Sequence, residues 1–95
     1  MKKKIVAPVY PKFIGPDGAG VTAVQAELDY EGRKALGRFC NRIVQKTFSN
    51  QGTFVSTPEG DVQVNTGDWV IKTGDGFRVE GDPVFREHYE EVTAE

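Results

Sequence analysis

One stretch of this 95-residue chain decides its fold: residues 62–89 read VQVNTGDWVIKTGDGFRVEGDPVFREHY. Apolar and polar residues alternate at 62–64 and again at 77–80, which is the period of a strand with one solvated face. Between them, residues 69–71 are aromatic or β-branched, as strands favour. Turn-forming residues separate the three segments. The stretch therefore predicts consecutive antiparallel strands.

A short helix is predicted after the last of these strands. Asp82 belongs to the residue types that cap helices, and Pro83 suits a first helical turn because no amide partner is lost there. Phe85, His88 and Tyr89 then fall at helical spacing. We expect a C-terminal helix of about two turns.

The same stretch resembles a small protein family of phages and prophages. That family carries a Pro-Gly-Asp-Trp/Tyr signature, an aliphatic pair, a turn, a Gly-aromatic strand and an Asp-Phe…Tyr-Glu tail. Thr66 stands where the signature has Pro, and the Tyr-Pro-Cys that usually follows the Gly-aromatic strand is missing. The chain matches the family at Gly67, Asp68, Trp69, Val70, Ile71, Lys72, Gly76, Phe77, Pro83, Phe85, Tyr89 and Glu90.

The resemblance implies a fold and a phage setting, but no reaction. It also implies a set of structural signature residues, namely Gly67, Asp68, Trp69, Phe77, Phe85 and Tyr89. Two roles are open for Trp69. It either anchors the core while Asp68 bonds to turn amides, or it is partly exposed and stacks on a base or on a partner's side chain.

An amphipathic helix is predicted upstream of the strands. Residues 21–28 alternate as a strand does, and Asp29 is a suitable cap for the helix that follows. Over residues 30–44 the apolar positions form one stripe, typical of a helix that packs on a sheet. The stripe consists of Leu36, Phe39, Cys40 and Ile43. Residues 43–48 either finish this helix or begin a strand.

Another face of the same helix is basic. Arg33, Lys34, Arg38 and Arg42 recur along it, with Lys46 beyond them. Such a face is able to contact the phosphates of a nucleotide, a nucleic acid or another anionic partner. The whole chain carries a net charge of −2, whereas nucleic-acid binders are usually strongly basic. A solvated helix face is therefore the alternative.

Chain length predicts one domain over residues 1–95, with an irregular arm at 1–20 and a core at 21–92. The predicted fold class is α+β: an antiparallel four- to five-stranded β-meander, one amphipathic helix packed on it and a short C-terminal helix. From Thr53 onward, each strand is expected to lie beside the one before it.

Catalytic and metal chemistry find little support in the composition. The chain has one His and one Cys, which cannot make a zinc site and which lie in separate predicted elements. Cys40 falls on the apolar stripe, so a buried thiol is expected. No metal site and no cofactor are predicted. No apolar run approaches the roughly 20 residues of a membrane span, so no membrane partner and a cytoplasmic location are expected.

The first functional hypothesis is a non-enzymatic, phage- or prophage-type accessory binding protein that contacts a host defence or regulatory protein, in the host cytoplasm if it is phage-encoded. Its contact surface would be the acidic C-terminal part, since residues 59–95 carry ten Asp and Glu against three Lys and Arg, while residues 1–58 carry four against nine. A homodimer is compatible with the sequence.

The alternative is a small-ligand or nucleotide-binding protein that uses the basic helix and Trp69. Its contact residues would be Arg33, Lys34, Arg38, Arg42 and Trp69. A third hypothesis, a small hydrolase or transferase, lacks the constellation of His, Cys and carboxylate residues that such chemistry needs.

Overall fold

The computed structural model describes residues 10–40, 44–46 and 52–92. The elements follow in this order: β1 (Lys12–Ile14), β2 (Gly20–Gln25), α1 (Tyr30–Cys40), β3 (Val44–Lys46), β4 (Gly52–Thr57), β5 (Gly60–Val64), β6 (Trp69–Thr73), β7 (Gly76–Glu80), α2 (Asp82–His88) and β8 (Glu90–Glu91). The predicted α+β class, with antiparallel strands, one amphipathic helix and a short C-terminal helix, is confirmed.

The strands form two sheets. One has the order β7-β6-β2-β1-β8 and the other the order β3-β4-β5, and all described pairings are antiparallel. The chain changes sheet between β5 and β6, so the expectation that every strand after Thr53 lies beside its predecessor is wrong at this point. The turn at 65–68 causes the change, because Ala26 donates to the Asp68 carbonyl at 2.7 Å and accepts from the Gly67 amide at 2.9 Å. These bonds direct β6 onto β2.

The segment 1–20, predicted to be an irregular arm, contains a strand. Within its described part, β1 pairs with β2 on one side and with β8 on the other. Phe13 at its centre is only 6% exposed. Three residues after Pro11 are too few to show an alternating pattern in the sequence, which is why β1 escaped prediction. Residues 1–9 lie outside the described part of the chain.

The two faces of the five-stranded sheet carry two apolar clusters. Side chains alternate along β2 and β6, so that Val24 and Val70 face α1 and the second sheet, while Ala23 and Ile71 face α2. The first cluster contains Ala26, Leu36, Phe39, Cys40, Val55, Val64 and Val70. The second contains Phe13, Ala23, Ile71 and Phe85. The sheet therefore separates α1 from α2.

Helix α1 largely follows the sequence prediction. Asp29 caps it, since its Oδ1 accepts the Gly32 amide at 2.7 Å. Leu36, Phe39 and Cys40 of the apolar stripe are buried, and Ile43 lies outside the described residues. Burial raises the pKa of the Cys40 thiol to about 11, which fits a structural rather than a reactive cysteine. The ambiguous segment 43–48 contains strand β3.

Candidate binding groove

An open groove of about 980 Å³ is lined by elements of both sheets. Its walls are the β1–β2, β4–β5 and β6–β7 turns, part of β5, the whole of β7 after its first residue, and the end of α2. Most of the residues that line the groove belong to the acidic C-terminal part of the sequence. We refer to it below as the acidic groove.

Two matching hairpin turns border the acidic groove. The β4–β5 turn reads Thr-Pro-Glu-Gly at 57–60, and the β6–β7 turn reads Thr-Gly-Asp-Gly at 73–76. In each turn the Thr hydroxyl donates to the carbonyl of the final Gly, at 2.6 Å in the first turn and 3.1 Å in the second. The same hydroxyl accepts a hydrogen bond from the amide of the acidic residue, at 3.1 Å in the first turn and 3.2 Å in the second. Gly60 and Gly76 adopt φ values of 115° and 132°, which favour glycine. The turns therefore fix the backbone at Glu59 and Asp75 beside the groove, while both residues are exposed.

The lining of the acidic groove is strongly negative. It contains the four carboxylates of Asp17, Glu59, Asp75 and Glu80 against the one guanidinium of Arg78. Arg78 and Glu80 form a salt bridge of 2.8 Å, so this cation and one of the four carboxylates neutralise each other. A concave surface with one sign of charge focuses the electric field and attracts counter-charged partners. The groove is therefore suited to a cationic ligand.

An aromatic stack places the end of α2 at the groove. The rings of Trp69 and Phe85 are parallel within 8° at 4.1 Å, and those of Phe85 and Tyr89 within 10° at 4.7 Å. Tyr89, the outermost ring of this stack, lines the groove. A Cβ on Gly15 would lie only 3.0 Å from the Tyr89 ring, so the absence of a side chain there lets the β1–β2 turn approach the stack. Partial burial raises the pKa of Tyr89.

Asp82 fixes α2 to the sheet and does not cap it, which corrects the sequence prediction. The N-cap is Gly81, and no side chain bonds to the first-turn amides. Asp82 Oδ1 instead accepts three donors: Trp69 Nε1 at 2.8 Å, Gln25 Nε2 at 3.2 Å and Arg86 Nε at 2.8 Å. The Trp69 hydrogen bond, with the nearby Arg86, lowers the pKa of Asp82.

The predicted basic site is only partly available for binding. Arg33 donates to the Leu28 carbonyl and so supports the loop before α1. Lys34 lies 5.3 Å from the Tyr30 ring centroid, and both Lys34 and Arg38 are exposed. Arg42 lies outside the described residues.

Trp69 does not meet this helix. Its side chain belongs to the cluster under α2, whereas α1 packs on the opposite face of the sheet. One face of its indole is stacked on Phe85, and its N–H is bonded to Asp82. Trp69 is half-buried, so these contacts account for one face of its ring and its N–H. The structure does not bring it together with Arg33, Lys34 and Arg38 into one site.

The other signature residues have structural positions. Gly67 adopts φ 97° in the turn at 65–68, and Asp68 accepts the Asn65 amide at 2.9 Å, as the packing interpretation of Asp68 predicts. Phe77 packs against Phe39 under α1, at a ring distance of 5.7 Å. Phe85 and Tyr89 complete the aromatic stack.

Sequence reasoning missed the groove, although a signal for it was present. The order Thr, any residue, an acidic residue and Gly occurs at 57–60 and again at 73–76. Repetition of one turn type on neighbouring hairpins indicates two acidic residues in similar geometry. What the repeat does not give is their distance, because the two hairpins belong to different sheets.

No metal site or membrane-spanning helix is found in the described part of the chain. Its His, Cys, Asp and Glu side chains form no group of three or more that could hold a metal ion. None of its helices has both the length and the apolar character needed to cross a membrane. The chain matches no family model, and no curated protein or solved structure is similar enough to count as a match.

Proposed function

We propose that this protein is a non-enzymatic binding protein of the phage or prophage type, and that it contacts a host protein through the acidic groove. The partner is a basic surface or segment of a host defence or regulatory protein, met in the host cytoplasm. The protein's role is to occupy that basic site and so to interfere with its normal contacts.

The charge of the groove carries this proposal. Four carboxylates surround a cavity whose one guanidinium is bonded to Glu80. Two of these carboxylates belong to Glu59 and Asp75, which lie in the matching hairpin turns and are exposed to solvent. Both are therefore accessible to a partner. Attraction over the whole groove accelerates encounter with a cationic partner and falls with ionic strength.

The phage setting is supported by the family resemblance of residues 62–90. It rests on the pattern around Gly67, Asp68 and Trp69, and on Phe85 and Tyr89 near its end.

The test is affinity capture from a host lysate with three versions of the protein. The double variant Glu59→Lys/Asp75→Lys reverses the charge of both hairpin turns. The control Glu27→Lys/Glu91→Lys makes the same change of net charge at two exposed residues that do not line the groove. We expect the wild type and the control to retain the same host protein, and the groove variant to lose it.

Purified partner then gives the affinity. Binding should weaken as salt rises, and reversal of both groove charges should weaken it further than reversal of both control charges. Equal capture by all three versions would show that the groove is not the contact surface.

The nucleotide hypothesis has a separate test. A nucleotide that binds only the folded protein raises its melting temperature. If the basic helix binds phosphate, this rise should disappear in Arg38→Glu and persist in the groove variant. Capture of the host protein should be unaffected by Arg38→Glu, because Arg38 lies on α1 and does not line the groove.

A further inference from the structure

A second, smaller pocket lies beside the acidic groove. Its volume is about 550 Å³, which is within the range of pockets that take small molecules. The two cavities share a border, since Gly20, Val21, Thr73 and Gly74 line both. The lining of the smaller one includes two lysines and, among the described residues, no Asp or Glu. We refer to it below as the lysine pocket.

The two lysines and a threonine form one row across three neighbouring strands. Thr22 of β2 is paired with Lys12 of β1 on one side and with Lys72 of β6 on the other. Residues paired in this way share a face of the sheet. Val21 and Ala23, on either side of Thr22, belong to the cluster under α2, so the row lies on the opposite face, that of α1. All three residues of the row line the lysine pocket.

The polar groups of this row are available to a ligand. Within the part of the chain that the structure describes, neither ammonium group forms a salt bridge and the Thr22 hydroxyl forms no hydrogen bond. Glu90 lies on the same face, diagonally from Lys12, but it neither lines the pocket nor bonds to that lysine. Two antiparallel pairings place the Cα atoms of Lys12 and Lys72 about 10 Å apart. Their flexible side chains can therefore meet over Thr22.

Two glycines leave the space beside the row open. Gly20 precedes Thr22 by two residues and Gly74 follows Lys72 by two, and a Cβ at either glycine would have no atom within 4 Å. Val92 provides an apolar contact at the other end of the row. It is 46% exposed, lines the pocket, and its amide donates to the Lys12 carbonyl at 2.8 Å. The pocket therefore combines two cations, a hydroxyl and an apolar side chain.

We infer that the lysine pocket binds the phosphate monoester group of a small soluble molecule, whose apolar part contacts Val92. A phosphate monoester carries about −1.5 to −2 charges at neutral pH, which matches the two ammonium groups of Lys12 and Lys72. Hydrogen bonds from these cations to the phosphate oxygens are charge-assisted, and the Thr22 hydroxyl donates a third. The inference does not depend on the proposed function, because no carboxylate of the acidic groove lines this pocket.

The test is an NMR titration of the wild-type protein with phenyl phosphate, at a pH above the second phosphate pKa of about 6. Phenyl sulfate is the matched control ligand, because it has a similar shape and a single negative charge. We expect phenyl phosphate to shift the amide signals of Lys12, Thr22 and Lys72 in a saturable manner. It should bind at least about fivefold more tightly than phenyl sulfate.

Three variants separate charge, hydrogen bonding and space. Lys12→Gln/Lys72→Gln should weaken binding of phenyl phosphate about tenfold or more, and Thr22→Val, which keeps the shape of the side chain, about threefold. Gly20→Leu keeps every charge and fills the open space, so it should also weaken binding about tenfold or more. The melting temperature of each variant without ligand shows whether its fold is retained.

The matched control variant is Lys34→Gln/Arg38→Gln, which removes two cations from α1 instead, neither of which lines the pocket. Its affinity for phenyl phosphate should stay within about twofold of the wild type. Loss of binding in this variant, with binding retained in Lys12→Gln/Lys72→Gln, would place the phosphate on α1 and overturn the inference.

Three further outcomes would also overturn it. The first is the absence of saturable shifts at Lys12, Thr22 and Lys72. The second is equal affinity for phenyl phosphate and phenyl sulfate, which would mean that the paired lysines do not select a dianion. The third is sedimentation of the protein with phosphatidylcholine vesicles that contain phosphatidic acid, without binding of phenyl phosphate. That result would mean that a lipid surface, and not a small soluble molecule, provides the phosphate.

Discussion

Replacement of Phe85 by Ala tests whether α2 is fixed to the sheet as described. Phe85 is 2% exposed and contacts three rings, those of Trp69, Tyr89 and Phe13 at 4.1, 4.7 and 4.9 Å. Truncation of a buried Phe typically costs about 3–5 kcal/mol, and each aromatic pair adds about 0.5–1.5 kcal/mol beyond burial. Because three rings lose a partner, we expect Phe85→Ala to lower the free energy of unfolding by about 4–5 kcal/mol.

This loss is large for a chain of 95 residues, whose total free energy of unfolding is expected at about 5–14 kcal/mol. Urea unfolding followed by far-UV circular dichroism measures it, because that signal does not depend on Trp69, which loses its stacking partner. Val84→Ala is the matched control: Val84 is the preceding residue of α2, is 47% exposed, and should change stability by less than about 1 kcal/mol. If Phe85→Ala and Val84→Ala differ by less than about 1 kcal/mol, α2 does not pack as we describe.

Further predictions concern Asp82 and two glycines of α1. Asp82→Asn should destabilise the protein at neutral pH, because the Trp69 hydrogen bond holds the pKa of Asp82 below its ordinary 3.8. The greater stability of the wild type should be complete above pH 3.8 and should vanish as the pH falls through the lowered pKa. Urea unfolding midpoints of both proteins, measured across this pH range, would show the change. Gly32→Ala should destabilise the fold, although Ala favours helices by about 1 kcal/mol, because its Cβ would lie 2.0 Å from the Glu27 carbonyl oxygen. Gly37→Ala, with no atom within 4 Å of the new Cβ, should leave the melting temperature unchanged or raise it.

The strands between residues 53 and 80 could be predicted because each is marked by a pattern of neighbouring residues in the sequence. Alternation marks β5 and β7, and residues that tolerate positive φ mark the turns, as Gly60 and Gly76 do. The strand order was not predictable in the same way. Alternation shows which side chains share a face but not which strand lies next, so the change of sheet between β5 and β6 left no mark in the sequence.

The role of Asp82 shows a second limit. An acidic residue before Pro at the start of a helix usually caps it, and the local sequence supported that interpretation. The donors that Asp82 actually accepts include Trp69 and Gln25, which are distant in sequence and are brought near by β6 and β2. Long-range partners of this kind outweigh a local preference without changing the sequence pattern.

The acidic groove contains none of the contact residues that the sequence predicted, which were Arg33, Lys34, Arg38, Arg42 and Trp69. The excess of acidic residues after position 58 indicated an anionic contact surface, whereas the regular spacing of Arg33, Lys34 and Arg38 drew attention to α1. Charges on a helix are visible as a period, while Asp17, Glu59 and Asp75 lie on three separate turns that only the folded chain assembles.

Hydrogen exchange of the protein with and without its captured host partner tests the central claim most directly. If the acidic groove is the contact surface, binding should slow exchange at Phe77 and Val79 and in the hairpin turns that carry Glu59 and Asp75, while α1 is unaffected. Slower exchange confined to α1, with β7 and both turns unchanged, would contradict the account.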